Sequence, residues 1–314
     1  MTLNNNKDWL QKNIVVCLGA LICCGLWGSA FPSIKIGYQL FDIAANDTAA
    51  QMLFAGVRFT LAGILTVILG SFIARKTLVP EKSSWKMIFK LCMVQTVIQY
   101  VFFYIGLANT TGVKASIIEA MNVFIAIVMA SLFFKEKITS IKAAGCAIGF
   151  IGVVLINITK DGIDASLSLF GEGFLLFSTV AYALSQILIK KYSKYENPVT
   201  LSGYQFFIGG LIMALAGFSM GGRLTVITGR GLIMLLYLAC ISAVAYSLWG
   251  ILLKHNPVSK VAIYGFTNPV FGVLLSALFL EGESSQAFGI KGVISLALVC
   301  LGIYLTNIVQ KEDK

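Results

Sequence analysis

The sequence predicts an all-α integral membrane protein: ten transmembrane helices forming two inverted five-helix repeats, with N and C termini cytoplasmic. Three observations carry that expectation. Of the 314 residues, 58% are apolar and 12% charged. That is more hydrophobic surface than a soluble domain of this size buries within itself, so lipid must act as part of its solvent. The apolar residues gather into ten stretches of about 20, each sufficient to cross a hydrocarbon layer of roughly 30 Å as a helix. Finally, the chain resembles itself 146 positions further on: Tyr100 falls on Tyr246, Ile105 on Ile251, Leu107 on Leu253, Lys114 on Lys260, Ile117 on Ile263, Asn122 on Asn268 and Leu132-Phe133 on Leu278-Phe279. These identities share one register without a gap, which weighs more than their number.

The spans follow in order. The first, Ile14–Ile34, comes after a short basic segment, and Gly28-Ser29-Ala30 imitates a signal cleavage site. Its apolar run is longer than a signal core, so it reads as an uncleaved helix. Ala50–Ile73 holds Arg58, Trp85–Leu107 holds Gln95, Gln99, Tyr100 and Tyr104, and Val113–Phe134 holds Glu119 and Asn122. The fifth span, Ile141–Ile158, carries a Gly-x-x-x-Gly pair, Gly145 and Gly149. Such a pair suits close packing within the chain or between copies in a homo-oligomer. A polar linker over Lys160–Leu169 divides the halves, giving predicted repeat boundaries of 14–158 and 171–309. Beyond it lie Gly171–Ile189 with Tyr182 and Gln186, Thr200–Met220 with Gln205, Leu232–Leu253 with Tyr246 and Trp249, Val261–Leu280 with Asn268 and Pro269, and Phe288–Val309.

Charge sets the expected orientation. With the amino terminus inside, sixteen of the 24 basic residues fall in cytoplasmic segments and six outside, leaving Arg58 within a span and Lys90 near the inner end of another. The net charge of +10 is then a topology signal, not a nucleic-acid footprint. Five spans per half make the second half enter the membrane from the opposite face, and inverted repeats are the architecture of alternating access. The seven cysteines lie in apolar spans without metal-like spacing, and the sole histidine, His255, sits near a span end. No nucleophile elbow, phosphate loop, metal ligand set or cofactor motif is present in the sequence, so neither an enzyme nor an ATP-driven pump is expected.

Of fourteen carboxylates, Glu119 is the one well within a span. An intramembrane carboxylate is a functional candidate by default. Two readings stand: an ion pair with Arg58, which lies at comparable depth, or a carboxylate facing a central cavity as partner to a proton or an ammonium group. Asn122 and Asn268 are repeat mates near midplane and are candidate polar contacts. Trp27 and Tyr182 are mates in the first and sixth spans, and with Tyr246 and Trp249 they are candidate aromatic walls. Gln99 and Gln186 suit either helix bridging or substrate contact. Pro269 removes a backbone donor in the ninth span, where its mate is Val123.

These residues also carry a resemblance. The Trp27-Gly28 start, the block from Tyr100 to Tyr104 leading through Ala115-Ser116 to Asn122, and Ala245-Tyr246 with Trp249 leading to Asn268-Pro269-Val270-Phe271 stand in a characteristic order. Each apolar run then ends at an acidic position, Glu136 in one half and Glu281-Gly282-Glu283 in the other. With them the chain resembles the drug/metabolite transporter superfamily, of the EamA ten-helix type. It departs at Val123, where the family commonly has Pro, and at Lys135, where Gly is usual. The resemblance implies a secondary carrier in the plasma membrane, commonly an exporter of amino acids, related metabolites or amphipathic drugs. A small-molecule substrate, the lipid bilayer and protons would be its partners. The competing reading is a non-transporting membrane sensor or accessory subunit.

Overall fold

The computed structural model describes residues 8–134, 139–156, 158–159, 162–163, 168–256, 261 and 263–308. Glu136, Lys260, most of the Lys160–Leu169 linker and the last residues of the chain lie outside these. Among the described residues every regular element is helical, apart from a two-residue antiparallel pair of Ile158–Thr159 with Gly162–Ile163.

The first helix, α1 (Asn13–Leu40), outruns its predicted span and carries Pro32 inside it. The chain turns at Asp42, in the left-handed region, and Asp47 accepts the Ala50 amide at 2.8 Å to start α2 (Thr48–Ala74). Such a cap answers a backbone donor that the first turn leaves without a partner. The third apolar segment is one continuous rod, Lys82–Ala108. It is made of α3 (Trp85–Leu91), a wider π-helical stretch at Cys92–Ile98, and α4 (Gln99–Ala108). The widening coincides with a polar tie across helices: Gln205 Nε2 donates to Gln95 Oε1 at 2.5 Å, and Thr96 Oγ1 donates to Gln205 Oε1 at 3.1 Å. Gln95 and Gln205 thus bridge helices.

The fourth span is interrupted. It comprises α5 (Gly112–Glu119) and α6 (Met121–Phe134), with Ala120 between them. Then follow α7 (Ser140–Ile156), α8 (Phe174–Tyr192), α9 (Pro198–Ser219) and α10 (Gly229–His255). A tight 3-10 turn at Ile263–Phe266 leads into α11 (Thr267–Phe279), and α12 (Ser284–Phe288) and α13 (Ile290–Ile308) complete the chain. Seven helical segments are long and apolar enough to cross a bilayer, and Ala143–Gly152, Thr267–Phe279 and Ile290–Gly302 are shorter apolar helices. All ten coincide with stretches singled out by hydropathy.

Small residues fix the closest crossings, as expected where helices associate by packing and not by exclusion of water. The most extensive helix pair is α2 with α9. A methyl group added to Gly56 would stand 2.2 Å from the Ala214 nitrogen, and one on Gly210 would stand 2.3 Å from the Thr60 nitrogen. The Gly145–Gly149 pair is used within the chain: a methyl group on Gly302 of α13 would lie 2.5 Å from the Gly145 carbonyl oxygen. That face is therefore occupied by α13, and the packing between copies considered for it does not apply. At the centre, Gly28 of α1 meets Phe271 and Gly272 of α11, and Gly272 in turn meets Ser116 of α5.

Candidate functional site

The aromatic candidates converge. The ring of Trp27 on α1 lies edge-on to Tyr182 of α8 at 6.2 Å, Tyr246 of α10 at 5.2 Å and Trp249 of α10 at 5.1 Å. The hydroxyls of Tyr100 and Tyr246 hydrogen-bond to each other. Two pairs of residues matched only by the sequence repeat, Trp27 with Tyr182 and Tyr100 with Tyr246, are thus in direct contact. Phe59 and Phe206 complete the aromatic core around Tyr100 and Tyr246.

Arg58 is 2% exposed and does not pair with Glu119. Its Nε donates to the Leu238 carbonyl at 3.1 Å, Nη1 donates to the Tyr104 hydroxyl and Nη2 to Ser242 Oγ at 3.0 Å. The guanidinium also stacks over Phe59, 4.9 Å from the ring centre. Comparable depth allowed the ion pair. What decides against it is that Arg58 points between α4 and α10, where the Leu238 carbonyl, the Tyr104 and Ser242 hydroxyls and the neighbouring Phe59 ring satisfy a weakly hydrated planar cation.

Glu119 ends α5, 6% exposed, and its Oε1 has no hydrogen-bond partner. Ser178 of α8 stands beside the carboxyl, and Tyr182, one turn further along α8, is within its electrostatic reach. Burying a carboxyl with an open acceptor is costly in a dry interior, so such a group asks for a ligand, a proton or water. Asn122 does something other than expected: its Nδ2 donates to the Glu119 carbonyl at 2.6 Å. The Asn122 amide thus ties the break in the fourth span through a backbone oxygen near the helix interruption. Asn268, its mate, keeps a buried and unpartnered Oδ1 near Cys24. Gln186 accepts from Trp249 Nε1 at 3.0 Å and leaves its own Nε2 unpartnered, while Gln99 lies beside Tyr246 with Oε1 unpartnered. Trp27 Nε1 is also buried without a partner.

Pro269 is the third residue of α11, directly after the 3-10 turn. First-turn amides have no intrahelical acceptor, so its missing N–H costs little there and leaves the body of α11 intact. The end of the bundle where α5 begins gives contacts to Glu283, which the sequence marked only as an acidic position closing an apolar run, and to Glu172, which it did not mark. Glu283 Oε1 and Oε2 accept the amides of Gly112 and Val113 at 3.0 and 2.9 Å, and Glu172 Oε1 takes Thr110 Oγ1 at 2.8 Å and Lys114 Nζ at 3.4 Å. A carboxylate at a helix N-terminus meets both free donors and the positive end of the helix dipole. Ser178 was legible only as part of a stripe, since Ser178, Tyr182 and Gln186 recur at four-residue spacing on one face of α8.

Bilayer-length apolar helices around a buried aromatic and polar interior define a polytopic α-helical membrane protein. The chain belongs to the EamA-like transporter family, which it matches over residues 14–158 and again over 169–308. Among its relatives, a chloroplastic WAT1-related protein of Arabidopsis thaliana is 26% identical over 91% of this chain and 68% of its own length. An uncharacterized transporter of Archaeoglobus fulgidus is 27% identical over 91% of this chain and 95% of its own. A Salmonella typhimurium protein named a probable amino-acid metabolite efflux pump is 26% identical over 91% and 92%. A solved protein structure shares the fold with a TM-score of 0.70 at 14% identity, over 95% of this chain and 98% of the other.

Proposed function

We propose that this protein is a secondary active transporter that exports a small organic metabolite across the plasma membrane by alternating access, with Glu119 as its proton-coupling group. All ten apolar segments cross the bilayer as two inverted five-helix repeats, 14–158 and 171–309, with both termini cytoplasmic. Repeat mates in contact support this reading, as does a helix start at the same repeat position in both halves: α6 begins at Met121 and α11 at Thr267, 146 residues apart. Alternating access requires two halves that can exchange packings around a fixed central site. Export follows the efflux function named for the Salmonella relative.

The observation that carries the coupling role is the buried Glu119 carboxyl with an open acceptor and no cation paired to it. The titratable group facing it across the interface with α8 is Tyr182. The test is flux in liposomes holding the purified protein, with labelled amino acids, polyamines, choline-like cations and nucleosides as substrates. Glu119→Gln should abolish both the pH dependence and most of the rate. Unchanged rate and pH dependence in that variant would remove Glu119 from the mechanism.

A further inference from the structure

Resting on the transport reading, we infer that the substrate is an elongated amine: a protonated ammonium at one end, held by Glu119, and a neutral oxygen acceptor at the other, held by Gln186 and Trp27. The argument lies in which buried polar atoms lack partners and where they stand on α8. At one end of its inward stripe, the buried Ser178 hydroxyl stands beside the Glu119 carboxyl, whose Oε1 has an open acceptor. This pole offers acceptors and a negative charge. Two turns away on the same stripe, the Gln186 amide has a chemically fixed orientation. The indole Trp249 Nε1 is only a donor, so the Gln186 atom it meets must be the carbonyl oxygen, and Gln186 Nε2 is the free group. Trp27, whose ring touches Trp249, adds a second buried donor without a partner, Nε1. This pole offers neutral donors.

The eight residues from Ser178 to Gln186 place the poles about 12 Å apart along the helix axis at 1.5 Å per residue. Between them the wall is aromatic, formed by Tyr182 and Trp27. A ligand matching this surface pairs its cation with the carboxylate, lays an apolar body against the rings and accepts two hydrogen bonds at its far end. A carboxylate-ended molecule lacking an amine meets Glu119 as a like charge, and an amine without a distal oxygen leaves the donor pole unmade.

Calorimetric titration of the purified full-length protein with four compounds of one length tests this: 6-aminohexanamide, hexylamine, hexanamide and hexanoate. The order expected is 6-aminohexanamide tightest, hexylamine weaker, hexanamide weaker still, and hexanoate without measurable binding. Glu119→Gln should weaken 6-aminohexanamide roughly tenfold to a hundredfold, the range for one charge-assisted hydrogen bond. Gln186→Ala should remove the advantage of 6-aminohexanamide over hexylamine while hexylamine still binds, which also certifies that the variant is folded. Equal binding of hexanamide and hexylamine, or hexylamine affinity unchanged by Glu119→Gln, overturns the inference. Counterflow in liposomes separates it from the transport reading. A protein that exchanges other metabolites but ignores all four compounds refutes the amine site alone, and one that binds 6-aminohexanamide without moving it refutes transport alone.

Discussion

The fourth and ninth apolar segments begin a helix at the same repeat position, Met121 and Thr267, but approach it differently. In the fourth, Ala120 separates α5 from α6 and the Asn122 side chain ties the junction by donating to the Glu119 carbonyl. In the ninth, the 3-10 turn at Ile263–Phe266 hands over to α11, and Pro269 occupies the first turn where its missing donor does no harm. The difference teaches that one helix start can be reached from unlike residues. The spans also diverge chemically: Glu119 ends α5, whereas its mate Gly265 lies within the 3-10 turn.

Substitutions can break or sharpen this comparison. The largest effect is expected from moving the charge. A Glu119→Gln, Gly265→Glu double variant restores a carboxylate to the mate position but should leave liposome flux down by roughly tenfold or more, because Ser178 and Tyr182 flank only position 119. Recovery of flux would mean that the halves are chemically interchangeable. Next, Gly272→Val should destabilise by about 1–3 kcal/mol, read as a lower Tm in detergent, because an added Cβ would stand 2.5 Å from the Ser116 Cβ. Ala126, the mate of Gly272, is only partly buried, so Ala126→Val should shift Tm far less. Glu283→Gln removes a charge from the start of α5 and should cost about 1 kcal/mol, a loss that added salt diminishes in the parent protein. Smallest is Pro269→Ala, expected within about 0.5 kcal/mol of the parent; a large loss would show that the ninth span needs its proline as the fourth needs Asn122.

The all-helical class was legible in the sequence because lipid imposes one simple rule, that a crossing segment is long and apolar, and seven such helices are described. Two pairs that the sequence matches across its repeat, Trp27 with Tyr182 and Tyr100 with Tyr246, are in contact. The partners of Arg58 were not legible. Depth along a helix is read from residue counts, but direction around it depends on which neighbour arrives, and α10 arrived with Leu238 and Ser242. Likewise nothing in the local pattern marked Glu283 as the cap of α5, since its two bonds join residues 170 or more positions apart. The π-helical stretch was hidden for the same reason, its polar tie to Gln205 being a contact between distant spans.

The Tyr100–Tyr246 bond joins two positions that the duplication treats as one. On the proposed two-fold relation, exchanging the conformations of the halves carries this contact onto itself, as an isologous contact in a dimer is carried onto itself by its axis. Contacts between positions that are not mates, such as Arg58 with Leu238, must be replaced by different ones in the opposite state. On the proposed alternating-access mechanism the tyrosine pair is the fulcrum of both states, and cross-linking those two positions should leave transport intact while a cross-link between non-mates arrests it.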